Sequence, residues 1–199
     1  MKHLLDHPLL YHVWQAPFIA QKVEPFRRHN PGLPFSRVLD VGCGPGTNRR
    51  LFASSGYIGI DFNRSYITHA QVREAGVGVV GDAAALPFRR ARHFDCVFVN
   101  SLLHHLDDEQ VRALLGSAAT MLQPGGAIHV IDLVVPEARS IARSLALRDR
   151  GEHPRAGADL RALLGEVIVA DVDEEFSLRI GPIACWQMVY IRGTPRETR

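Results

Sequence analysis

The sequence predicts an α/β protein: a mostly parallel sheet with helices on both faces, an antiparallel last strand and a helical segment ahead of the first strand. Three observations carry this. Short β-branched runs alternate with helix-patterned stretches between residues 37 and 135, and such alternation implies right-handed crossovers between parallel strands. The first run enters a glycine cluster, and ligands in open α/β sheets bind beyond the carboxyl ends of strands. The last two runs, "VIVADVDEEFSLRIG" and "CWQMVYIRG", are separated only by a Gly-Pro turn. So short a turn cannot make a parallel crossover, so these two pair antiparallel.

The elements follow in order. Residues 1–35 read as one or two helices with Leu9, Val13, Trp14 and Phe18 on the apolar face. "RVLDVGCGPG", 37–46, is the first strand with its loop, and "TNRRLFASS" reads as a helix starting there. "GYIGIDFN", 56–63, is a second strand ending at an acid; "SYITHAQVREAG", 65–76, has Ile67, Ala70 and Val72 at helical spacing. "VGVVGDAAALPF", 77–88, is a third strand and a loop, and "FDCVFVNS", 94–101, a fourth strand. "DDEQVRALLGSAATMLQPGG", 107–126, places Val111, Leu114, Leu115, Ala118 and Leu122 on one helical face. Acids at its start, Asp107 and Asp108, suit a cap, and Pro-Gly-Gly suits its end. "AIHVIDLVV", 127–135, is a fifth strand, and 136–165 reads as helix, break, helix. Five strands and the final pair make seven. The implied organisation is an N-terminal helical cap (1–35), one ligand-binding domain (36–193) and a loose tail (194–199).

The glycine loop "DVGCGPG" narrows the ligand. Gly42, Gly44 and Gly46 let the backbone turn sharply and approach a bound group, and a helix behind them presents its amides to an anion. A nicotinamide fingerprint needs a third glycine where Thr47 stands, and Pro45 lies inside the loop. A phosphate-binding P-loop needs Gly-Lys-Ser/Thr, which is absent. Three acids follow the strands instead: Asp40 before the loop, Asp61 after the second strand and Asp82 after the third. Asp61 stands 19 residues after Gly42, where a carboxylate clasps ribose hydroxyls. The competing reading is that each acid caps a helix or turns a loop.

"VLDVGCGPG", "YIGIDFN", "GDAAALPF", "FDCVFVNSLLHHL" and "LQPGGAIHVIDL" together resemble the consecutive motifs of class I S-adenosylmethionine-dependent methyltransferases. The likeness covers about 38–135, and the antiparallel ending extends it to 192. It implies a Rossmann-like seven-stranded sheet with an inserted antiparallel last strand. It implies S-adenosylmethionine as cofactor and S-adenosylhomocysteine as product. On that resemblance, Gly42 and Gly44 pass under the cofactor, and Asp40 is near its amino-acid end. Asp61 holds the ribose, Asp82 and the Ala83 backbone meet the adenine, and Asn100 lines the methionine side. Tyr11 reaches the methionine end from the N-terminal segment, as an N-terminal tyrosine does in several relatives.

The stretch "NSLLHHLDDEQ", 100–110, begins where the fourth strand ends, so His104 and His105 fall beside the expected methyl group. Methyl transfer is a displacement in which positioning supplies much of the acceleration, and a hydroxyl acceptor must lose a proton that a histidine can take. His105 and His104 are the candidate bases, with Asp132 to orient or charge-stabilise one of them. The alternative is that the pair packs between strand and helix. No metal set emerges: Asp107 and Asp108 are not spaced for one, and the separated acids plus asparagine of metal-dependent relatives cannot be assembled.

"NSLL" stands where nucleic-acid amino methyltransferases carry D/N-P-P-Y/F, and the double-glutamate loop of protein arginine methyltransferases is missing. The "GDA…LPF" and "LHHL" forms resemble the branch acting on small molecules. Residues 136–160 leave room for only a short lid, so Tyr11, Trp14, Gln15 and Phe18 are candidate pocket residues, with Trp14 and Phe18 equally suited to the core. The fold is also compatible with keeping the cofactor for a regulatory or rearrangement role.

Composition excludes other classes. The net charge of +2, from 23 basic and 21 acidic residues, is too small for a dedicated nucleic-acid binder. No apolar run reaches the ~18 residues of a membrane span. Cys43, Cys96 and Cys185 form no CxxC pair and suggest neither disulfides nor zinc. A cytoplasmic enzyme acting on a small molecule is expected. A homodimer is permitted and not required.

Overall fold

A computed structural model describes residues 18–73, 77–88, 93–149 and 151–196. Its strands are β1 (Arg37–Val41), β2 (Gly56–Asp61), β3 (Val77–Val80), β4 (Phe94–Asn100), β5 (Leu122–Val134), β6 (Ile168–Ile180) and β7 (Ile183–Pro195). Its helices are α1 (Ile19–His29), α2 (Arg64–Arg73), α3 (Asp108–Met121), α4 (Ile141–Ala146) and α5 (Gly157–Gly165). The seven strands form one sheet in the order β3-β2-β1-β4-β5-β7-β6. β1 to β5 pair in parallel, and β7 runs antiparallel to both β5 and β6. The expected fold class is the observed one.

Alternation along the strands divides the core. Val97 and Val99 of β4 pack with Leu39, Val41 and the α3 residues Val111, Leu114 and Leu115 on one face. Cys96 and Phe98 pack with Val38, Phe52, Ile131 and Tyr190 on the other. Strand side chains alternate sides with period two, so one residue of slip would reverse both faces. α3 starts as its sequence predicts: Asp107 and Gln110 make a reciprocal capping box. Asp108 takes another partner, Arg155.

Four features differ from expectation. "TNRRLFASS" forms no α-helix; Arg49–Phe52 is a single 3-10 turn. The Asn48 amide is drawn inward to Asp40, and the Arg49 guanidinium bonds the Phe52 carbonyl at 2.6 Å, so side chains compete with the helical ladder. The amide-presenting helix expected behind the glycine loop is therefore missing. β5 begins at Leu122, five residues early, because Leu122 pairs with Phe94 across a register shift before Ala127 meets Cys96. Thr194 and Pro195 pair with Val169 and Ile168, and the Arg196 amide bonds the Val167 carbonyl, so the sheet runs past the tail boundary at 193. The described part of the N-terminal segment is core as much as cap: Phe26 is fully buried, edge-on to the rings of Phe52, Phe98, His129 and Tyr190. Phe18 is buried with it in the same cluster. Tyr11, Trp14 and Gln15 lie outside the described residues.

Candidate active site

The strand order reverses direction at β1, whose neighbours are β2 and β4. Such a switch point opens a crevice beyond the carboxyl ends of the two diverging strands. A cleft lies there. Gly42, Cys43 and Gly44 from the β1 loop, Asn100 and Ser101 from the end of β4, and Ile19, Lys22 and Val23 of α1 line it, with Thr47 and Asn48. Gly42 (φ 72°) and Gly44 (φ 55°) adopt left-handed backbone, which glycine takes at no steric cost. A Cβ on Gly42 would stand 2.9 Å from Leu102, whereas one on Gly44 meets no atom of the described residues within 4 Å. Ser101 is left-handed as well, at φ 57°, a strained state for a residue with a side chain and one that recurs at functional sites.

A chain of hydrogen bonds holds the cleft floor. Asp40 is fully buried and accepts from the Tyr57 hydroxyl at 2.6 Å and from Asn48 Nδ2 at 3.1 Å. Asn48 Oδ1 in turn accepts from Asn100 Nδ2 at 3.1 Å. Burial pushes the Asp40 carboxyl up to about 7, against the opposing pull of Tyr57 and Asn48. Asp40 thus reaches the cleft through Asn48. Cys43 has a steric role: its Sγ would lie 2.7 Å from a Cβ at Gly59.

Asp61 closes the loop from the β2 side. Its two oxygens accept from the amides of Gly44 (2.9 Å) and Asn63 (2.8 Å). Burial raises its carboxyl despite those two bonds. Asp82 is exposed after β3, and its Oδ1 caps the 3-10 turn Ala83–Ala85 by accepting from the Ala84 amide. Asp61, Asp82 and Ala83 stand along the same sheet edge, outside the residues that line the cleft.

Behind the β4 end lies a buried ionic cluster. His104 is 6% exposed and Asp132 1%. Asp132 Oδ1 is 2.5 Å from His104 Nδ1, and the two Asp132 oxygens also accept from the amides of Leu103 and Leu133. On the other side of the ring, Asp149 Oδ1 is 3.3 Å from His104 Nε2. Burial alone would lower the His104 pKa, but the two carboxylates outweigh it and raise it to about 9. The Asp149 carboxyl, opposed by burial, is drawn down to about 2 by the same ring. Asp132 is lowered too, since His104 and the two amides overcome its burial. Lys22 on α1 faces both acids; burial takes it down to about 8 against their pull. The His105 ring lies tilted against His104, 4.2 Å between centroids, and is half-buried.

Sequence reasoning named the glycines, Asn100, the histidines and Asp132. It missed Lys22, Thr47, Asn48, Ser101 and Asp149. Thr47 and Asn48 directly follow the glycine loop, and Lys22 is one of only two lysines in the chain; those were the available signals. Asp149 carried none, lying 45 residues beyond His104.

Residues 38–126 match the family described as "Methyltransferase domain". An uncharacterised methyltransferase of Synechocystis is 30% identical over 106 residues, 52% of this chain and 50% of its own. The ubiquinone biosynthesis O-methyltransferase of Ralstonia nicotianae is 31% identical over 134 residues, 59% of this chain and 55% of its own. The chain spans about half the length of the relatives it matches. Two solved structures share the fold. One is a SAM-dependent methyltransferase from Methanosarcina mazei, with TM-score 0.70 and 20% identity over 87% of this chain and 98% of that one. The other is the N-methyltransferase NodS of Bradyrhizobium japonicum, solved with S-adenosyl-L-homocysteine, with TM-score 0.69 and 20% identity over 89% and 86%. The matched segment runs from β1 to the start of β5 and so contains the β1 and β4 sides of the crevice, while the α1 side lies outside it. Over residues 38–126 the chain is thus similar to a methyltransferase domain, and its sheet has the fold of these two solved methyltransferases.

Proposed function

We propose that this protein transfers the methyl group of S-adenosylmethionine to an oxygen, nitrogen or carbon of a small molecule. The observation that carries the reading is the cleft at the β1–β4 switch point. Within it Thr47 Oγ1 is buried without a hydrogen-bond partner among the described residues, and none of their atoms fills the space beyond Gly44. A ligand with hydroxyl, carboxylate and ammonium groups satisfies such a surface. The names of relatives, a ubiquinone biosynthesis O-methyltransferase and an N-methyltransferase, support a small acceptor. The unpaired cysteines suit a reducing cytoplasm. No described helix is long and apolar enough to cross a membrane.

The residues divide the work of binding. The Gly42–Gly44 backbone passes under the cofactor. Asp61 holds the ribose hydroxyls: each of its oxygens accepts one amide and has a second lone pair to offer. Asp82 and the Ala83 backbone receive the adenine. Asn100, fixed by Asn48, lines the methionine side with Thr47, and the Lys22 ammonium pairs with the methionine carboxylate. Asp40 is a positioning residue acting through Asn48. Tyr11 belongs to the methionine end on the resemblance alone.

When bound, the cofactor supplies a sulfonium methyl. Bringing an acceptor into line behind it is the task of the β4 end and the segment after β5. His104 does not serve as the base in this arrangement: Asp132 and Asp149 face its two ring nitrogens and stand between the ring and an acceptor. His105, half-buried at the same turn, is the ring that takes a proton from a hydroxyl acceptor, and Asp132 orients the turn.

The test is incubation with methyl-deuterated S-adenosylmethionine and a small-metabolite extract of the host, followed by mass spectrometry. A labelled small product is expected. Label confined to protein or nucleic acid, or none while the cofactor binds, would overturn the proposal and favour a non-methylating role.

A further inference from the structure

We infer that His104, His105 and Asp149 form a binding site for a divalent transition-metal ion of the zinc class, at the edge of the cofactor cleft. The inference goes beyond methyl transfer and does not depend on it.

One ligand atom from each residue lies within 4.8 Å of the others. Two nitrogens and one carboxylate oxygen are a donor set suited to zinc, iron(II) or cobalt(II), and not to magnesium or calcium, which take oxygen ligands. Ligand atoms about 2.0–2.2 Å from a tetrahedral ion stand roughly 3.3–3.5 Å apart. His104 Nε2 and Asp149 Oδ1 are already 3.3 Å apart. Three protein ligands leave the fourth position open, as catalytic sites do.

The surroundings of His104 supply the second observation. Metal-bound histidines hand their other ring N–H to a carboxylate, which fixes the tautomer and the ring plane. Asp132 stands in that place, 2.5 Å from Nδ1, itself held by the amides of Leu103 and Leu133. Nε2 is thereby the atom turned toward Asp149. The segment after β5 is pinned over the ring: the His153 amide bonds the His104 carbonyl at 3.0 Å, and Arg155 bonds the carbonyls of Leu103 and Leu106. The three donors thus sit on two segments locked together. The nearby Lys22 ammonium opposes a cation, so the carboxylates of both Asp132 and Asp149 are needed to offset it.

The test needs no acceptor. The full chain is treated with a chelator, then titrated with Co2+ while the visible d–d bands are followed, with Zn2+ as competitor. Cofactor binding is measured separately on the same sample, so the two readings fail independently. The result expected is one equivalent of Co2+ with tetrahedral-type bands, displaced by Zn2+. His105→Ala and Asp149→Asn each should weaken binding at least tenfold, and Asp132→Asn by about 10–100-fold. His105 is half-buried, so its variant reports on the site even if Asp132→Asn fails to fold. No stoichiometric binding, or equal binding by wild type and His105→Ala, would overturn the inference.

Discussion

Asp132 Oδ1 lies 2.5 Å from His104 Nδ1, while Asp132 Oδ2 accepts the Leu103 amide at the same distance. One buried carboxylate on β5 therefore fixes both the start of the turn after β4 and the plane of its histidine ring. That turn follows directly on Asn100 and Ser101, which line the cleft, so the strength of this contact bears on how well that side of the site is held.

Replacing Asp132 by asparagine leaves the buried His104 ring, with Asp149 still on its far side, facing a neutral amide in place of its closest carboxylate. Breaking a buried ion pair on one side costs about 3–5 kcal/mol. Urea denaturation of Asp132→Asn should show a loss of that order, with the slope unchanged. A loss under ~1 kcal/mol, the range of exposed pairs, would mean that the contact is not the anchor described.

Stability should fall on both sides of neutrality, for different reasons. His129 is buried between aromatic rings; burial, with the charge of Arg192, takes it down to about 3. Its unfolded form takes up a proton near 6.5, so its share of stability is complete above that value and is lost as pH falls toward 3, by up to ~1.4 kcal/mol per unit. His104 has the opposite sign. Raised to about 9, its share is complete below 6.5 and is lost as pH rises through 9. Thermal unfolding across pH 4–10 checks both limbs. His129→Phe should flatten the acid limb and leave the alkaline one.

Gly151 is where the segment after β5 crosses His104. A Cβ there would stand 2.3 Å from the ring carbon Cδ2 and 2.5 Å from the His104 carbonyl oxygen. A clash with backbone is not relieved by a rotamer change. Gly151→Ala should lower the melting temperature by several degrees, as a loss of 1–3 kcal/mol does in a domain of this size. An unchanged melting temperature would show that the crossing is looser than described.

The parts of this fold that were legible are those in which one local signal decides. The two-residue alternation of "FDCVFVN" and the helical period of Val111, Leu114, Leu115 and Ala118 lead directly to β4 and α3. The glycine loop placed the cleft because three glycines in five residues signal left-handed turns that other residues enter only at a cost, as at Gly42, Gly44 and Gly46. The helix after it was misread because Asn48 and Arg49 spend their side chains on Asp40 and on a backbone carbonyl, which no periodicity reveals. The ionic cluster was half legible: His104 and Asp132 sit at predictable strand ends, whereas Lys22 and Asp149 arrive from α1 and from beyond β5, brought in by tertiary packing alone.

The central claim is that the β1–β4 cleft binds S-adenosylmethionine with Asp61 on its ribose. Calorimetric titration of S-adenosylhomocysteine into wild type and Asp61→Ala tests it most directly. The account predicts one equivalent bound by the wild type. Hydrogen bonds to a charged group contribute about 1.5–3 kcal/mol, so affinity should fall at least tenfold in Asp61→Ala. No binding by the wild type, or equal affinity in the two proteins, would contradict it.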